Sequence, residues 1–367
     1  MKILVLANFG MGLYRFRKEL LQALMEQGND VYTALPCDEY KPLFERMGCT
    51  FIEVRVDRRG TNPITDFKLL MTYRHIIQEI KPEVVLTYTI KPNVYGGLAC
   101  RMTHTPYLAN VTGLGSSIEN AGFTQRISLL LYKIGLRRAS CVFFQNNTNR
   151  QFFITKKIAV GKTIRIPGSG VNLDQHCLEI YPENDDSIIL LFVGRIMKEK
   201  GVDELLESAI QIRHKHTEVL FWIVGDCEEA YTHKLEELQN DGVIEYFGQQ
   251  ADVHSFIKKS HATVLPSYHE GIANVLLESA ASGRPVLASR VPGCVETFDE
   301  GISGIGYAAK SSSSLTDALL AFIALPYQQK REMGLAGRKK MEKEFSRDIV
   351  VNAYIEEINK IQANKEI

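Results

Sequence analysis

Short runs of apolar residues alternate with longer segments of helical period along the first half of the chain. Alternation of this kind predicts βα units, in which parallel strands are joined by helices that cover the sheet. The predicted strands occupy residues 3–7, 30–34, 50–55, 84–88, 107–110 and 141–145. The predicted helices between them occupy residues 13–27, 40–47, 63–80, 92–102 and 124–139.

The second half opens a new series at Ser187, where the run SIILLFVGR is typical of a strand buried on both faces. Further strands are predicted at residues 219–224, 244–247, 262–266 and 285–288, and helices at residues 202–215, 228–239, 253–258 and 272–282. Each half is therefore predicted to form its own doubly wound α/β domain, and a length of 367 residues also favours two domains.

A polar stretch rich in Gly, Pro, Asn and Asp, residues 167–186, separates the two series and is the predicted linker. The domain boundary is predicted within it, with residues 1–175 in the first domain and residues 176–345 in the second. A helix predicted at residues 326–343 leads into a final helix from residue 346. The final helix carries apolar side chains at helical spacing, at Ile349, Val350, Tyr354, Ile355 and Ile358. These positions indicate that the helix packs against a domain, but they fit either domain equally well.

The distribution of charges, the cysteines and the lengths of the apolar runs limit the classes of protein to which the chain can belong. The chain has 43 basic and 43 acidic residues, yet residues 1–180 hold 23 Lys or Arg against 14 Asp or Glu. The first half is therefore expected to meet an anionic surface or acceptor, unless the two sets of charges face each other or solvent. Seven cysteines without a C-x-x-C pair argue against a disulfide framework or a zinc site, and fit a reducing cytoplasm. The first apolar run is too short for a signal peptide, and no run approaches the ~20 apolar residues of a membrane span.

Two strong cations follow the strand that opens the second series. Arg195 and Lys200 stand five residues apart on the loop after this strand, at the edge of a parallel sheet where ligands bind. The planar guanidinium can grip phosphate oxygens, and the lysine adds a mobile point charge. Fixed positive charge stabilises a diphosphate leaving group more in the transition state than in the ground state. Both residues are therefore predicted to be catalytic, and the alternative is that they are solvated loop charges.

The stretch of residues 266–293 carries the second part of the predicted site. After a strand, Glu270 lies in a polar loop, and Gly271 lets the chain turn into a helix that begins near Ile272. Glu278 would then lie about two turns inside the helix and about 10 Å or more from Glu270. This separation suits two different parts of one extended ligand, and the start of the helix offers N–H donors to phosphate or sugar oxygens.

Two glycines, Gly10 and Gly12, are predicted between the first strand and the first helix, in NFGMGLYRFRKEL. Glycines there would let a ligand approach the backbone, and the start of the helix would favour an anion. A tight turn from strand to helix explains the glycines equally well. The segment lacks the full G-x-G-x-x-G pattern with an acidic partner, so a dinucleotide site is disfavoured.

These motifs resemble glycosyltransferase family four, the retaining nucleotide-sugar transferases of GT-B fold. The resemblance covers essentially the whole chain and is most specific in VGRIMKEKGV, in VGD from Val224, in ADV from Ala251, and in two glutamates with seven residues between them followed by PVLAS. It implies two Rossmann-like domains that face a cleft. The first would bind the acceptor, the second would bind the nucleotide sugar, and the helix at residues 346–367 would return to the first.

By the same resemblance, Arg195 and Lys200 hold the donor diphosphate, Glu270 contacts the donor sugar and Glu278 accepts hydrogen bonds from the ribose hydroxyls. The base of the nucleotide would lie near residues 248–251. The implied catalytic residues are Arg195, Lys200 and Glu270. The full implied set of donor-binding residues is Gly12, Arg195, Lys200, Gly248, Gln250, Glu270, Gly271, Ile272, Asn274 and Glu278.

The first half adds a narrower likeness, in LTYTIKPNVYGG from Leu86 and LANVTGLGSS from Leu108. These segments resemble bacterial enzymes that add N-acetylgalactosamine or a similar sugar to a lipid-linked diphosphate glycan. Many family members carry a histidine in the loop after the fourth strand, and this chain has none there. The polar residues expected to line the acceptor side are Lys91, Asn93, Asn110 and Thr112.

A retaining front-face reaction needs no protein base, because the departing phosphate can accept the proton of the acceptor. His269, although it stands beside Glu270, is therefore not expected to act as one. No loop carries an Asp-x-Asp element, and Arg195 with Lys200 supplies the positive charge, so no metal or other cofactor is expected besides the UDP-sugar co-substrate. Residues 124–139 combine apolar and basic side chains, which fits either contact with an anionic membrane or a helix that covers the sheet.

The predicted function is the retaining transfer of a hexose or N-acetylhexosamine from a UDP-sugar to a lipid-linked or oligosaccharide acceptor. The expected setting is bacterial polysaccharide or glycan assembly in the cytoplasm, at the inner face of the membrane, without nucleic acid as a partner. One alternative is a nucleotide-sugar epimerase or phosphorylase of similar shape. Another is a non-catalytic GT-B subunit that binds a partner transferase, against which the intact set Arg195, Lys200, Glu270 and Glu278 argues.

Overall fold

The computed structural model describes residues 1–58, 60, 62–113, 123–183 and 187–364, which form two compact units. The N-terminal unit contains Met1–Ser169 and Asp348–Ile367, and the C-terminal unit contains Gly170–Arg347. The divisions lie a few residues away from those predicted at 175/176 and 345/346. The reason is that Val171 accepts a backbone hydrogen bond from Arg347 at 2.9 Å and donates one to Phe345 at 2.8 Å, which ties both segments into the C-terminal unit.

A parallel sheet forms the centre of the N-terminal unit. Among the described residues its strand order is β3-β2-β1-β4-β5-β6-β7. Ile3, Leu4 and Val5 of β1 are fully buried, because helices cover both faces of the sheet. The strands are β1 Lys2–Leu6, β2 Asp30–Leu35, β3 Thr50–Glu53, β4 Val84–Tyr88, β5 Tyr107–Val111, β6 Cys141–Phe144 and β7 Thr163–Arg165.

The helices of the N-terminal unit include the last helix of the chain. They are α1 Gly10–Glu26, α2 Lys41–Met47, α3 Pro63–Ile80, α4 Gly97–Thr103, α5 Phe123–Leu136, α6 Asn147–Thr155 and α13 Arg347–Ala363, with a π-helical turn at Pro92–Gly96. Val350, Tyr354 and Ile358 of α13 are buried in one apolar cluster with Leu13 and Leu20 of α1. The last helix therefore packs within the core of the N-terminal unit, whereas its Ile349 is exposed.

The C-terminal unit repeats the format with a second parallel sheet. Among the described residues its strand order is β10-β9-β8-β11-β12-β13. The strands are β8 Ile188–Val193, β9 Val219–Val224, β10 Glu245–Tyr246, β11 Ala262–Leu265, β12 Val286–Ser289 and β13 Gly304–Tyr307. The helices are α7 Val202–Arg213, α8 Thr232–Asn240, α9 His254–Lys259, α10 Asn274–Ala281, α11 Ser312–Ile323 and α12 Tyr327–Lys340.

The predicted fold class, α/β with two doubly wound parallel sheets, is confirmed. Two edge strands, β7 and β13, and two helices, α6 and α11, are additions that the apolar pattern did not predict. Strand β7 is three residues long and half-exposed, and β13 contains two glycines, so neither has the apolar run of a buried strand. All seven cysteines are free thiols, as expected. None of the helices in the described part of the chain has the length and apolar composition that crossing a bilayer requires.

Candidate active site

The strand order of the C-terminal unit reverses between β8 and β11, which pair with each other although they are distant in sequence. In doubly wound sheets, ligands bind at such a switch point, outside the carboxyl ends of the strands. Arg195 and Lys200 follow β8, and Glu270 follows β11. The topology therefore brings the predicted cations and the predicted sugar-binding carboxylate to the same edge of one sheet.

The two loops contact each other through their backbones. Gly201 has a φ of 69°, and a Cβ at this position would lie 2.1 Å from the carbonyl oxygen of Pro266. The N–H of Tyr268 donates a hydrogen bond to the carbonyl oxygen of Glu199 at 2.9 Å. A side chain at position 201 would force the loops apart, so this approach requires glycine.

An ion pair joins Lys200 to Glu270, through Nζ and Oε1. The hydroxyl of Ser267 donates to the same carboxylate oxygen at 2.8 Å. The side chains of Lys200 and Glu270 are 23% and 15% exposed, so their charges interact in a partly desolvated site. No group among the described residues bonds to Oε2 of Glu270, which can therefore accept hydrogen bonds from the hydroxyls of a ligand. Arg195 is exposed and has no ion pair within the described part of the chain.

A second glycine, Gly293, packs closely against the backbone of the Glu270 loop. Gly293 has a φ of 86°, and a Cβ there would lie 2.4 Å from the carbonyl oxygen of Glu270. The carbonyl oxygen of Gly293 accepts a hydrogen bond from Ala273 at 2.9 Å. Burial raises the pKa of the neighbouring Cys294 thiol, and the charge of Glu270 raises it further, so this thiol stays neutral. The chain around Gly293 therefore holds the backbone of the Glu270 loop without adding charge.

Helix α10 begins at Asn274, after Gly271 and the buried Ile272, and therefore two residues later than predicted. Ala273 is the N-cap residue and has no side-chain group to accept a hydrogen bond, so the first N–H groups of α10 can bind an anion. Oδ1 of Asn274 is buried and has no hydrogen-bond partner among the described residues. Glu278 lies about one turn inside α10 rather than the two turns predicted.

The loop predicted to lie near the nucleotide base follows β10. Gly248 accepts a hydrogen bond from the N–H of Gly225 at 2.8 Å, and a Cβ on Gly248 would meet no atom within 4 Å. The side-chain amide of Gln250 donates to the carbonyl oxygen of Phe247 at 2.6 Å. Gln250 therefore stabilises the loop, and Gly248 leaves open space beside it.

Tyr268 links the loop after β8 to the loop after β11, a role that the sequence did not predict. Its hydroxyl donates to both carboxylate oxygens of Glu204 on α7, at 2.8 and 3.0 Å. Burial raises the pKa of Tyr268, and the hydrogen bond to Glu204 raises it further, so the hydroxyl keeps the proton that it donates. Together with the backbone bond to Glu199, this contact sets the position of the Glu270 loop relative to Lys200.

Replacing Tyr268 with phenylalanine is expected to lower kcat/KM by about tenfold, because one hydrogen bond to a charged group is lost while the ring remains. The matched control is Tyr231→Phe, which removes a hydroxyl that donates to Asp203 on the same helical turn at 3.0 Å. Steady-state kinetics with both variants would measure the difference. Equal losses in the two variants would contradict a positioning role for Tyr268.

Two family models match this chain. Residues 178–340 match the model of the glycosyl transferases group 1, and residues 2–146 match the model described as glycosyl transferase 4-like, so that together they cover most of the chain. A relative from Campylobacter jejuni, named N,N'-diacetylbacillosaminyl-diphospho-undecaprenol alpha-1,3-N-acetylgalactosaminyltransferase, is 26% identical over 382 aligned residues. That alignment covers 99% of this chain and 100% of the relative.

This chain is a glycosyltransferase.

Solved structures agree with this assignment at the level of the fold. Sucrose-phosphate synthase from Thermosynechococcus elongatus has a TM-score of 0.81 at 20% identity, covering 99% of this chain and 100% of that one. HepE from Anabaena, solved in complex with UDP and glucose, has a TM-score of 0.78 at 18% identity, covering 98% and 99%. The predicted GT-B fold and the predicted enzyme class are therefore confirmed.

Gly10 and Gly12, predicted to bind an anion in the N-terminal unit of the glycosyltransferase, lie in a different environment from the one expected. Helix α1 begins at Gly10, so Gly10 and Gly12 lie in its first turn and not before it. The carboxylate of Asp38 accepts hydrogen bonds from the N–H of Gly10 at 2.7 Å and from that of Tyr40 at 3.0 Å. An acidic side chain therefore already stands at the positive end of α1, where it competes with a phosphate.

Lys91 of the glycosyltransferase, predicted on the acceptor side, is held by an acidic partner. Its Nζ lies 2.6 Å from Oδ1 of Asp66 on α3, and the hydroxyl of Tyr95 donates to the other oxygen at 2.7 Å. Two residues earlier, Thr89 has a φ of 72°, which is rare for a β-branched residue and marks a strained loop. Lys91 is therefore fixed in place after β4 with its charge largely balanced.

Asn93 and Asn110 are fully buried and do not face solvent. Asn93 accepts from the hydroxyl of Thr87 and donates to the carbonyl oxygen of Asn110, both at 2.7 Å. Asn110 in turn donates to the hydroxyl of Tyr354 on α13 at 2.5 Å. These bonds join the ends of β4 and β5 to the last helix of the glycosyltransferase. Thr112 is exposed at the end of β5, and residues 114–117 of the segment used for the resemblance lie outside the described residues.

Proposed function

We propose that this glycosyltransferase moves a hexose or N-acetylhexosamine from a UDP-sugar to a glycan acceptor carried on a polyprenyl diphosphate. The observation that carries the proposal is the Lys200–Glu270 ion pair at the switch point of the C-terminal sheet, beside the uncapped start of α10. A site for a sugar diphosphate needs fixed cations for the leaving group and a carboxylate for the sugar hydroxyls. The choice of ligands is supported by one relative that is named for a diphospho-undecaprenol substrate and by one protein of similar fold that was solved with UDP.

In this proposal the donor lies across both loops of the C-terminal unit. Arg195 and Lys200 hold the diphosphate, and the first N–H groups of α10 supply further donors to it. The free oxygen of Glu270 accepts from the sugar hydroxyls, and Glu278 accepts from the ribose. The base occupies the open space beside Gly248.

The transfer is proposed to proceed with retention at the anomeric carbon. The bond from this carbon to the diphosphate oxygen breaks, the acceptor hydroxyl bonds to the same face, and the departing phosphate takes the proton of the hydroxyl. Negative charge builds on the diphosphate oxygens, where Arg195 and Lys200 stabilise it most in the transition state. No protein base is needed for this step.

On the acceptor side, we propose direct contact for two residues and a positioning role for two others. Lys91 follows β4, which borders the point where the N-terminal sheet reverses its strand order, and the exposed Thr112 follows the neighbouring strand β5. The buried amides of Asn93 and Asn110 hold these two loops in register.

Metal independence is part of the proposal, because Lys200 and Arg195 supply the charge that a divalent cation would otherwise bring to the diphosphate. The initial rate of transfer in chelator is expected to stay within about twofold of the rate without it. The measurement is UDP release in EDTA, with and without added manganese. Activity that is lost in chelator and restored by manganese would overturn this part of the proposal.

A contact with the membrane surface is proposed for α5. Ile127 and Leu130 are 42% and 57% exposed on one face of this helix, next to the exposed Arg126 and Lys133. Apolar side chains flanked by cations suit an anionic lipid surface, where the lipid-linked acceptor would be found.

Flotation with vesicles that contain anionic lipid tests this contact. Wild-type protein is expected to float with the vesicles, and the double variant Ile127→Glu with Leu130→Glu is expected to stay at the bottom of the gradient. Leu320→Glu, on an exposed leucine of the C-terminal unit, is the control and should float. Wild-type protein that does not float would remove the proposed contact.

The transfer itself is tested by its product. Incubation with UDP-hexoses, UDP-N-acetylhexosamines and a polyprenyl-diphosphate glycan should add one sugar to the acceptor, detected by mass spectrometry. The coupling constant of the new anomeric proton in NMR should correspond to the configuration of the donor. Conversion of the UDP-sugar to its epimer without transfer would favour the alternative of an epimerase, and an inverted product would contradict retention.

A further inference from the structure

Three side chains with metal-binding atoms come together where the chain enters the C-terminal unit. Cys177 and Glu179 belong to the segment before β8, and His254 is the first residue of α9. The sulfur, one carboxylate oxygen and one ring nitrogen of these residues all lie within 4.8 Å of one another. We define Cys177, Glu179 and His254 as the thiol cluster.

One oxygen of Glu179 stands at the centre of the thiol cluster. Oε1 lies 3.0 Å from Nε2 of His254 and 3.5 Å from Sγ of Cys177. In a tetrahedral zinc site with bonds of about 2.0 to 2.3 Å, neighbouring ligand atoms lie about 3.3 to 3.7 Å apart. The separation of sulfur and oxygen falls within this range, and that of oxygen and nitrogen lies just below it.

Residues around the thiol cluster fix the position of Glu179 without bonding to its Oε1. Lys258, one turn along α9, binds the other carboxylate oxygen of Glu179 at 3.0 Å. The guanidinium of the buried Arg284 donates to the backbone carbonyl of Glu179 at 3.3 Å and to that of Ile180 at 2.8 Å. The carboxylate is thus oriented from one side, with Oε1 directed at the sulfur and the imidazole.

A second imidazole lies beside the first. The ring of His176 is buried, and its centroid is 5.4 Å from that of His254. Thiolate, carboxylate and imidazole form a ligand set that suits Zn²⁺ better than Mg²⁺ or Ca²⁺, which prefer oxygen alone. His176 or a water molecule can supply the fourth ligand.

We propose that the thiol cluster is a binding site for Zn²⁺. Binding replaces the proton of the Cys177 thiol with a bond from sulfur to zinc and releases that proton to solvent. The ion would join the entering segment to α9 and so stabilise the C-terminal unit, with no part in the transfer reaction. Sequence spacing argues against a zinc site because no C-x-x-C pair exists, whereas here Glu179 and His254 are 75 residues apart and meet only in the fold.

Cobalt titration of the full chain, stripped of metal by chelator and assayed without donor or acceptor, tests the site. Wild-type protein is expected to bind one Co²⁺ with the strong near-ultraviolet band of a thiolate ligand, and Zn²⁺ is expected to displace it. Cys177→Ser should lose this band. Cys37→Ser, which alters another exposed cysteine, is the matched control and should keep it.

Thermal unfolding provides a second readout that does not depend on cobalt. Addition of Zn²⁺ should raise the Tm of wild-type protein and of Cys37→Ser, and should leave the Tm of Cys177→Ser and His254→Gln unchanged. Absence of the thiolate band in wild-type protein, or its persistence in Cys177→Ser, would overturn the proposal. Because no substrate is present, these outcomes are independent of the proposed transfer.

Discussion

Lys200→Ala is expected to lower kcat by about 100-fold to 1000-fold, as happens when one fixed group that stabilises a developing negative charge is removed. Lys200 is partly buried and forms an ion pair with Glu270. In the proposed reaction its ammonium also contacts the leaving diphosphate. Its loss both withdraws positive charge from the diphosphate and leaves Glu270 without its ion pair. Initial rates at saturating UDP-sugar measure the effect.

Lys198→Ala provides the matched control for Lys200. Lys198 lies on the same short helical turn, but it is exposed and has no ion pair within the described part of the chain. Its replacement is expected to leave kcat nearly unchanged. A similar loss in both variants would mean that the turn needs positive charge in general, and would contradict a specific role for Lys200.

Glu278→Ala is expected to weaken UDP binding by about 10-fold to 100-fold, the range for hydrogen bonds to a charged group. Glu270→Gln should bind UDP almost as well as the wild type, because its proposed contact is to the sugar, which UDP lacks. Titration calorimetry with UDP measures both. Glu236→Ala, which alters an exposed glutamate on α8, is the control for an unspecific loss of negative charge. Equal weakening in Glu270→Gln and Glu278→Ala would contradict the division of roles.

The central part of the candidate site could be predicted because its charged residues come directly after buried strands in the sequence. Strand β8 is a continuous apolar run, and β11 is apolar except at Thr263. The residues that follow these strands, Arg195 with Lys200 and Glu270, must reach the same edge of a parallel sheet. The ion pair between Lys200 and Glu270 is the direct result of this topology. No local property of the sequence indicates that the pair forms, but the strand order does.

Helix ends were predicted less well, because they depend on contacts made across the fold. The first turn of α1 includes Gly10, whose N–H is bound by Asp38 from another loop, and the apolar period cannot reveal that partner. In the same way α10 begins at Asn274, since Ile272 and Ala273 are buried before the helix starts. Both differences shift, by a few residues, the backbone N–H groups that the start of the helix offers to a ligand.

The acceptor side was the part that the sequence could describe least. Polar residues in a loop are equally compatible with contact to a ligand and with burial in a hydrogen-bond network. Asn110 bonds to Tyr354, which is 244 residues away, and Lys91 pairs with Asp66 on a different helix. Tyr268 lies within residues 266–293, the stretch predicted to form part of the site. Its positioning role nevertheless depends on Glu204, which only the fold brings near.

The most direct test of the account is acceptor-dependent release of UDP by the purified chain. Wild-type protein should release UDP from a UDP-sugar rapidly only when a polyprenyl-diphosphate glycan is present, Lys198→Ala should do the same, and Lys200→Ala should be nearly inactive. Turnover by Lys200→Ala at the wild-type rate, or no UDP release by the wild type from any UDP-sugar, would contradict the proposed donor site.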